Sequence, residues 1–530
     1  MSEERSTGDL ELVWSNPRHR ILERDDVVEL GGELAVVDGT STPGESLATD
    51  LFAVRAALEA AGIDFLLIRG EKARLVLAVD RRRRADTARA LAEAFAAEPF
   101  YARALGQKRS SSTLVAEGSL STDDRAGVVR LQRPRVSPGS AAPRTTIPVY
   151  LEFWRFDEDD IVAPRENVLT RRVLPRREAV LDTVERFGAE WPTLAGMFDP
   201  IASDVTFDVD IVFSWVDGTD IEFQRQRAKR MQSYVVGDGD DSEARFRQID
   251  ELKYALRSVY SYAPWIRNIY IATDSPRPAW LADHPRVTVV PSEAMFADTS
   301  VLPTHNSHAV ESQLHHIEGL SEHFLYSNDD MFFGRPVSPE LFFSPGGVSK
   351  FVEATTRIGL GENEPERSGF ENAARVNRAL LSERFGATIT RHLEHCAAPL
   401  RRSIMREMEQ EFPEEFARTA ASRFRSSTDI SVTNSLYHYY ALLTGRAVEQ
   451  TSARVLYVET TLAESLSQLR RLKKNRSHDM FCLNDGSKPE IDVDTRRRAV
   501  TEFLETYFPV PAPWETTPAE QTTEESASRG

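Results

Sequence analysis

Asp208-Val209-Asp210-Ile211-Val212-Phe213-Ser214-Trp215-Val216-Asp217-Gly218 decides the reading of this chain. The stretch alternates over its first residues and then runs apolar, as a parallel strand buried on both faces does. An acid and a glycine close it. Downstream, the spacing predicts a helix from about Gln248 to Tyr262, ended by Ala263-Pro264. Strand-like runs follow at Asn268–Thr273 and Val287–Val290, and Gly319–Ser327 leads into another. This order of strand, helix and strands predicts a doubly wound α/β sheet. Segment 391–445 reads as mostly helical.

Upstream of Phe207 a separate α/β unit is expected. Leu51–Ala61 has helical spacing of apolar residues, and Phe65–Ile68, Leu75–Val79 and Pro148–Trp154 look like strands. Ala85–Phe95 is an Ala-rich helix, and the basic run Arg81–Arg84 before it reads as a solvated turn. Segment 107–147 is rich in Ser, Arg, Gly and Pro and is expected to be turns or a mobile loop. The expected division is therefore 1–200, an accessory unit; 205–510, a core; and 511–530, a disordered tail poor in hydrophobic residues.

The chain has 530 residues, with 65 Lys and Arg against 82 Asp and Glu, a net charge of −17. Proteins that live on nucleic acid are usually basic, so nucleic acid is not the expected partner. The two cysteines, Cys396 and Cys482, give no disulfide framework and fit a reducing compartment. The polar start Met1–Arg5 lacks the apolar core of a secretory signal. No run approaches the ~18 apolar residues of a membrane span. A cytoplasmic location, possible at the inner face of the membrane, is expected.

Five segments carry candidate chemistry. Asp217 lies just past a strand, where open α/β sheets bind ligands, and Gly218 allows a tight turn. An Asp-Gly turn with no ligand explains it equally well. Asn328-Asp329-Asp330 follows the apolar strand Phe324-Leu325-Tyr326. Adjacent acids repel unless a cation or base sits between them, and hard oxygen ligands suit Mg²⁺ or Mn²⁺. If the chain stays extended, Asn328 and Asp330 share a face and Asp329 takes the other, similar to the Asp-x-Asp site of many nucleotide-sugar enzymes. Asn306, Ser307 and His308 read as donors at a helix start; His308 alone reads as a buried histidine. Arg423 and Arg425 flank Phe424 with Asp429 behind them, and guanidinium forks match phosphate oxygens. Phe481-Cys482-Leu483 ends in Asn484-Asp485, a second source of metal or sugar ligands.

Together these segments resemble the Stealth family of bacterial capsule and exopolysaccharide phosphotransferases, which includes the catalytic part of the animal N-acetylglucosamine-1-phosphotransferase. Four blocks match in order: Asp208–Asp220; about Gln248 to Gly334, with LPTHNSHAVESQLHHIEGLSEHFLYSNDDMFFG; about His392 to Tyr440; and about Leu472 to Asp485, ending FCLND. Departures occur at His305, where the family has an aromatic, and near Asp479, where a basic residue is usual.

The resemblance implies a GT-A-like core that passes a hexose-1-phosphate from a UDP-sugar to a polysaccharide or glycolipid hydroxyl, releasing UMP. It implies Asp330 or His395 as the base, Asp329 and Asp485 as metal ligands, and Arg425 as the diphosphate clamp, with Arg257 and Arg423 as secondary cations. Asp217 and Asn306 would orient nucleotide or sugar, joined by His308, Asn328 and Asn484. Asp429 would orient an arginine or contact the sugar. Homo-oligomers are compatible with this reading. Two alternatives stay open: a GT-A-like glycosyltransferase that releases UDP, and a non-catalytic polysaccharide-binding protein.

Overall fold

The computed structural model describes residues 16–71, 74–106, 111–120, 126–140, 142–218, 249–486 and 488–516. Residues 235–245, a stretch rich in Gly and Asp that reads as a polar loop, and the first residue of the expected helix, Gln248, lie outside them. The chain divides into two units, Met1–Ile201 and Ala202–Gly530.

In the first unit, helices Pro43–Ala60 and Arg84–Ala94 accompany a mixed sheet. The first helix opens on a capping box between Thr42 and Glu45, which satisfies two otherwise orphaned N–H groups. Its Leu51, Val54 and Leu58 join Leu67, Leu77 and Leu151 in one core. Segment 107–147 departs from expectation, since Thr113–Leu114, Val128–Gln132 and Arg135–Val136 are strands. Val128–Gln132 lies between strands Tyr101–Ala104 and Val149–Phe156. Val129 and Leu131 point into the core while Arg130 is only partly buried, a period-2 signal hidden among flanking Ser, Arg and Pro.

The second unit is built on β1 (Val209–Ser214), α1 (Glu251–Tyr262), β2 (Ile269–Ala272), β3 (Val287–Val290), α2 (Ser307–Gln313), β4 (His323–Asn328), β5 (Met331–Phe333), α3 (Gly369–Phe385), β6 (Ala398–Arg401), α4 (Arg402–Glu411), α5 (Pro413–Ala421), α6 (Tyr437–Leu443), β7 (Val455–Glu459), α7 (Ser465–Asn475), β8 (Met480–Asn484) and α8 (Val493–Tyr507). The main sheet has the order β3-β2-β1-β4-β6. Its first four strands are parallel and β6 runs antiparallel at the edge. The doubly wound α/β class is therefore as the sequence reads. Segment 391–445 is less helical than expected, because Arg391–Leu393 and β6 are strands.

Strand β1 is central because both its faces are apolar: Ile211 and Val212 are fully buried, and Phe213 nearly so. Each such side chain contributes roughly 1.5–3 kcal/mol through burial. Asp210 is the exception, a carboxylate with no exposure. Arg267 grips it twice, at 2.9 and 2.7 Å, and the main-chain N–H groups of Asn268 and Ser321 donate to it. A fully satisfied acid at this end ties β1, β2 and β4 together without an orphaned charge.

The sheet's strand order reverses direction of growth at β1, so ligands are expected at the carboxyl ends of β1 and β4. There Ser214 pairs with Asn328 in register. Beyond Asn328 the chain turns into β5, which pairs with β8, and β8 pairs with β7. The residues after Val510 also differ from expectation. Trp514 has no exposure, and Glu515 forms an ion pair with Arg257, so 511–516 docks onto the core instead of beginning a tail. Among the described residues no helix is long and apolar enough to cross a membrane.

Candidate active site

At the carboxyl ends of β1 and β4, the Tyr326 hydroxyl lies 2.8 Å from Ser214 Oγ and has two acceptors for its one proton, Asn328 Oδ1 at 2.9 Å and Glu311 Oε1 at 3.2 Å. Burial holds this phenol well above its ordinary pKa. Glu311, on α2, accepts from Thr433 Oγ1 at 2.6 Å with its other oxygen. The network is buried and polar, which fixes Asn328 at the sheet's edge. Past β1, the Asp217 N–H donates to Ser275 Oγ at 2.8 Å, joining the loops after β1 and β2.

Asp329 and Asp330 form the turn between β4 and β5. The chain does not stay extended there, so the expected alternation of Asn328, Asp329 and Asp330 does not hold. The Asp330 carbonyl accepts from the Leu483 N–H at 2.9 Å. Its carboxylate Oδ2 accepts from the Cys482 thiol at 3.4 Å, while Oδ1 is buried with no hydrogen-bond partner. Burial, and then the charge of Asp330, push Asp329 up to about 7. Asp330 also rises to about 7, through burial and then the charges of Glu251 and Asp485, against the opposing Cys482 hydrogen bond. Glu251, at the start of α1, is pushed to about 8 by burial and then Asp329. Asp485 follows β8, where its Oδ1 accepts from Thr460 Oγ1 at 2.5 Å and pairs with Arg496 at 2.7 Å.

Glu251, Asp329 and Asp330 thus ionise at a raised cost, with the charge of Asp485 adding to it, and the four carboxylates come from three chain segments. A divalent cation removes that cost. All the donors are hard oxygens, and the unpartnered Asp330 Oδ1 is the atom a cation would complete. Their chemistry is of the kind that suits Mg²⁺ or Mn²⁺, while among the described residues no three of these ligand atoms lie within 4.8 Å of one another.

His395 reaches this cluster through Tyr457, which neighbours Asp330. Its ring packs 5.2 Å from that of Tyr457, at 67°. Tyr457 lies opposite Cys482 in the β7–β8 pair, and its hydroxyl accepts from Asn484 Nδ2 at 2.5 Å. Burial and then His392 hold the His395 imidazole below its ordinary pKa. It is therefore neutral near pH 7 and able to take a proton.

A second group gathers at the start of α2. Asn306 caps the helix through Oδ1 to the His308 N–H at 3.1 Å. Its Nδ2 donates to Asp429 Oδ2 at 2.8 Å and to the Ser422 carbonyl at 3.0 Å. Asp429 has no exposure and also accepts from the Ser426 N–H at 2.9 Å. This clasp brings the 422–429 segment onto α2. Arg425 then donates to Ser307 Oγ at 2.9 Å. A Cβ on Gly369 would lie 2.7 Å from Arg425 Cδ and 2.8 Å from its Cβ, so glycine is what lets Arg425 lie against the start of α3.

Models of the Stealth family's four regions match this chain in order: conserved region 1 at 207–235, region 2 at 245–351, region 3 at 394–442 and region 4 at 470–526. The exopolysaccharide phosphotransferase CpsY of Mycobacterium leprae is 59% identical over 92% of this chain and 90% of its own length. The chain belongs to the Stealth family. CpsY of Mycobacterium tuberculosis H37Rv is 60% identical over 92% of both chains. The exopolysaccharide phosphotransferase SCO6023 of Streptomyces coelicolor is 39% identical over 92% of this chain and 85% of its own. A solved galactosyltransferase, LgtC, in complex with donor and acceptor sugar analogues, aligns over 59% of this chain and 99% of its own, at 13% identity and a TM-score of 0.30, too low to bear on the chemistry.

The residues singled out from the sequence fall into three places in this Stealth core. Asp329, Asp330, Asp485, Asn484 and His395 gather around the β4–β5 turn and the end of β8. Asn328 ends β4 and Asp217 follows β1 at the sheet edge, and Asn306, His308, Arg425 and Asp429 surround the start of α2. Arg257 differs from expectation. It points away to the C-terminal segment, holding Glu515 through two bonds at 2.7 and 2.6 Å and the Phe508 carbonyl at 2.9 Å, so it is an anchor and not a phosphate clamp. Arg423 is exposed, and its carbonyl accepts from the His305 N–H. His308, only 2% exposed, packs 3.8 Å from Asp429. Asp429 orients Asn306 and the Ser426 N–H, so the expected arginine is not its role. Glu251 escaped the sequence reading. An acid in a helix's first turn is ordinary, and only the fold sets it beside Asp329.

Proposed function

We propose that this Stealth chain transfers a hexose-1-phosphate from a UDP-sugar to a hydroxyl of a surface polysaccharide or glycolipid, with release of UMP. One observation carries the reading. A buried Asp330 oxygen without a partner faces a cluster of raised-pKa carboxylates at the carboxyl end of β4. Relatives named exopolysaccharide phosphotransferases support it.

In the reaction, the acceptor oxygen bonds to the β-phosphorus, and the bond from that phosphorus to the bridging oxygen breaks. UMP leaves with that oxygen, and the acceptor proton passes to His395 Nδ1 or Nε2. Asp330 is the alternative base where it does not itself hold the cation. Asp329, Asp330 and Glu251 would hold Mg²⁺ or Mn²⁺, with Asp485 beside them; the ion would neutralise charge developing on the phosphoryl oxygens. Arg425 meets the diphosphate with its fork, and Ser307 holds that side chain in place. Asn306 and Asp429 set the loop that carries Arg425. Asn328 and Asp217 line the nucleotide side. The reaction belongs at the cytoplasmic face of the membrane, where the donor is supplied.

The test incubates the protein with UDP-N-acetylglucosamine or UDP-glucose, a polysaccharide acceptor and Mg²⁺, and identifies the nucleotide released. UMP, absent with Asp330→Asn, supports the proposal. UDP would make the protein a glycosyltransferase.

A further inference from the structure

At the far end of α2 from Asn306, the chain turns through Leu314–His316 before entering β4. His315 Nε2 and His316 Nε2 lie 2.9 and 3.0 Å from the same oxygen, Glu409 Oε2 on α4. Among the described residues, the ligand atoms of these three side chains form a group lying within 4.8 Å of one another. We infer that His315, His316 and Glu409 form a second divalent-cation site, of the kind that takes Zn²⁺.

The donor set is the first reason. Two imidazoles and one carboxylate suit Zn²⁺, whereas the acid cluster offers only oxygens and suits Mg²⁺. The geometry is the second. Zn–N and Zn–O distances near 2.0–2.1 Å place tetrahedral ligands about 3.3 Å apart. The observed nitrogen-to-oxygen separations need widen by only a few tenths of an ångström to admit the ion. The surroundings are the third. His315 is fully buried, and Arg402 donates to its carbonyl at 3.1 Å, which fixes the turn that presents both rings. His316 and Glu409 remain 25% and 29% exposed, so an ion has a path in and room for a water as fourth ligand.

This site is separate from the acid cluster. His315 precedes the amino end of β4 and Asp329 follows its carboxyl end. Six residues of strand set these ends about 20 Å apart. The ion would clamp the end of α2, whose start carries Asn306 and Ser307, onto α4. The inference is independent of the proposed reaction.

The competing reading is a carboxylate that accepts two imidazole N–H bonds and binds no metal. To separate the two, full-length protein carrying Asp329→Asn and Asp330→Asn, which disables the acid cluster, is stripped with chelator and titrated with Co²⁺ and Zn²⁺. The expected result is one Zn²⁺ per chain, and intense visible absorption from tetrahedral Co²⁺ that Zn²⁺ displaces. His316→Gln and Glu409→Gln, each checked for native circular dichroism, should weaken Zn²⁺ binding at least 100-fold. The partly exposed His316 makes its variant the safer one for folding. Absence of the Co²⁺ band, or Zn²⁺ binding unchanged in His316→Gln, overturns the inference.

Discussion

Asn306 Nδ2 donates to Asp429 Oδ2 at 2.8 Å across 123 positions of sequence. The bond joins the cap of α2 to the loop that carries Arg425. Asn306→Ala removes a donor from a carboxylate that has no exposure. Leaving such a group short of a partner costs about 1–3 kcal/mol. The variant should unfold at lower urea concentration, and its KM for the donor should rise more than its kcat falls. An unchanged donor KM would separate the clasp from Arg425.

Arg425→Ala should lower kcat/KM by about 10³-fold, the range seen when a cation clamp on phosphoryl oxygens is lost. Arg425→Lys keeps the charge but not the planar fork, and should recover only part of the loss. Steady-state kinetics over a series of donor concentrations would show this.

Asp330→Asn should end turnover and leave the fold in place. In protein freed of metal it should also stabilise. The folded-state pKa of Asp330 is raised from 3.8 to about 7, so the folded state binds the proton more tightly than the unfolded chain. Native stability is then greatest below the unfolded pKa and falls as pH rises through the interval up to about 7. The amide abolishes that fall. Thermal melts of chelated protein should therefore show the variant gaining over the parent at pH 8 and little or nothing at pH 4. A gain of equal size at both pH values would place its origin outside ionisation.

His395 is held below its ordinary pKa by burial, so it stays deprotonated into mildly acidic solution. The acid limb of kcat/KM should fall below pH 6.5, and His395→Gln should cost about 10²–10⁴-fold in rate, as loss of a general base does. A full limb surviving in His395→Gln would transfer the proton to Asp330.

Arg257→Ala breaks a nearly buried pair, with Arg257 12% and Glu515 6% exposed. Losing one partner of such a pair costs about 3–5 kcal/mol. Denaturant unfolding should register it, while the identity of the released nucleotide should not change.

The sheet was legible because β1, β2 and β4 are apolar and end abruptly in polar residues. Asp329 and Asp330 stood out for the same reason: two acids follow directly on an apolar strand. Arg425 and Asn306 were legible as residue types, but not as neighbours. What the sequence hid is what depends on distant pairing. Arg257 reads as a spare cation until Glu515, 258 positions on, comes back to it. Asp210 reads as the polar phase of an alternating strand, yet it is buried because Arg267 and two N–H groups satisfy it. Glu251 looks like any acid in a first turn. The strand Val128–Gln132 was lost among arginines whose aliphatic stems and charged heads serve different surroundings.

Glu251, the Asp329-Asp330 pair and Asp485 come from far-apart places in the chain, and the repulsion between these three places exists only once the native topology is complete. A folding nucleus that has not yet closed those long loops does not feel it. A cation held there would therefore act on the exit from the native basin and not on the entrance. It would lengthen the lifetime of the folded chain by slowing escape and leave the refolding rate nearly untouched.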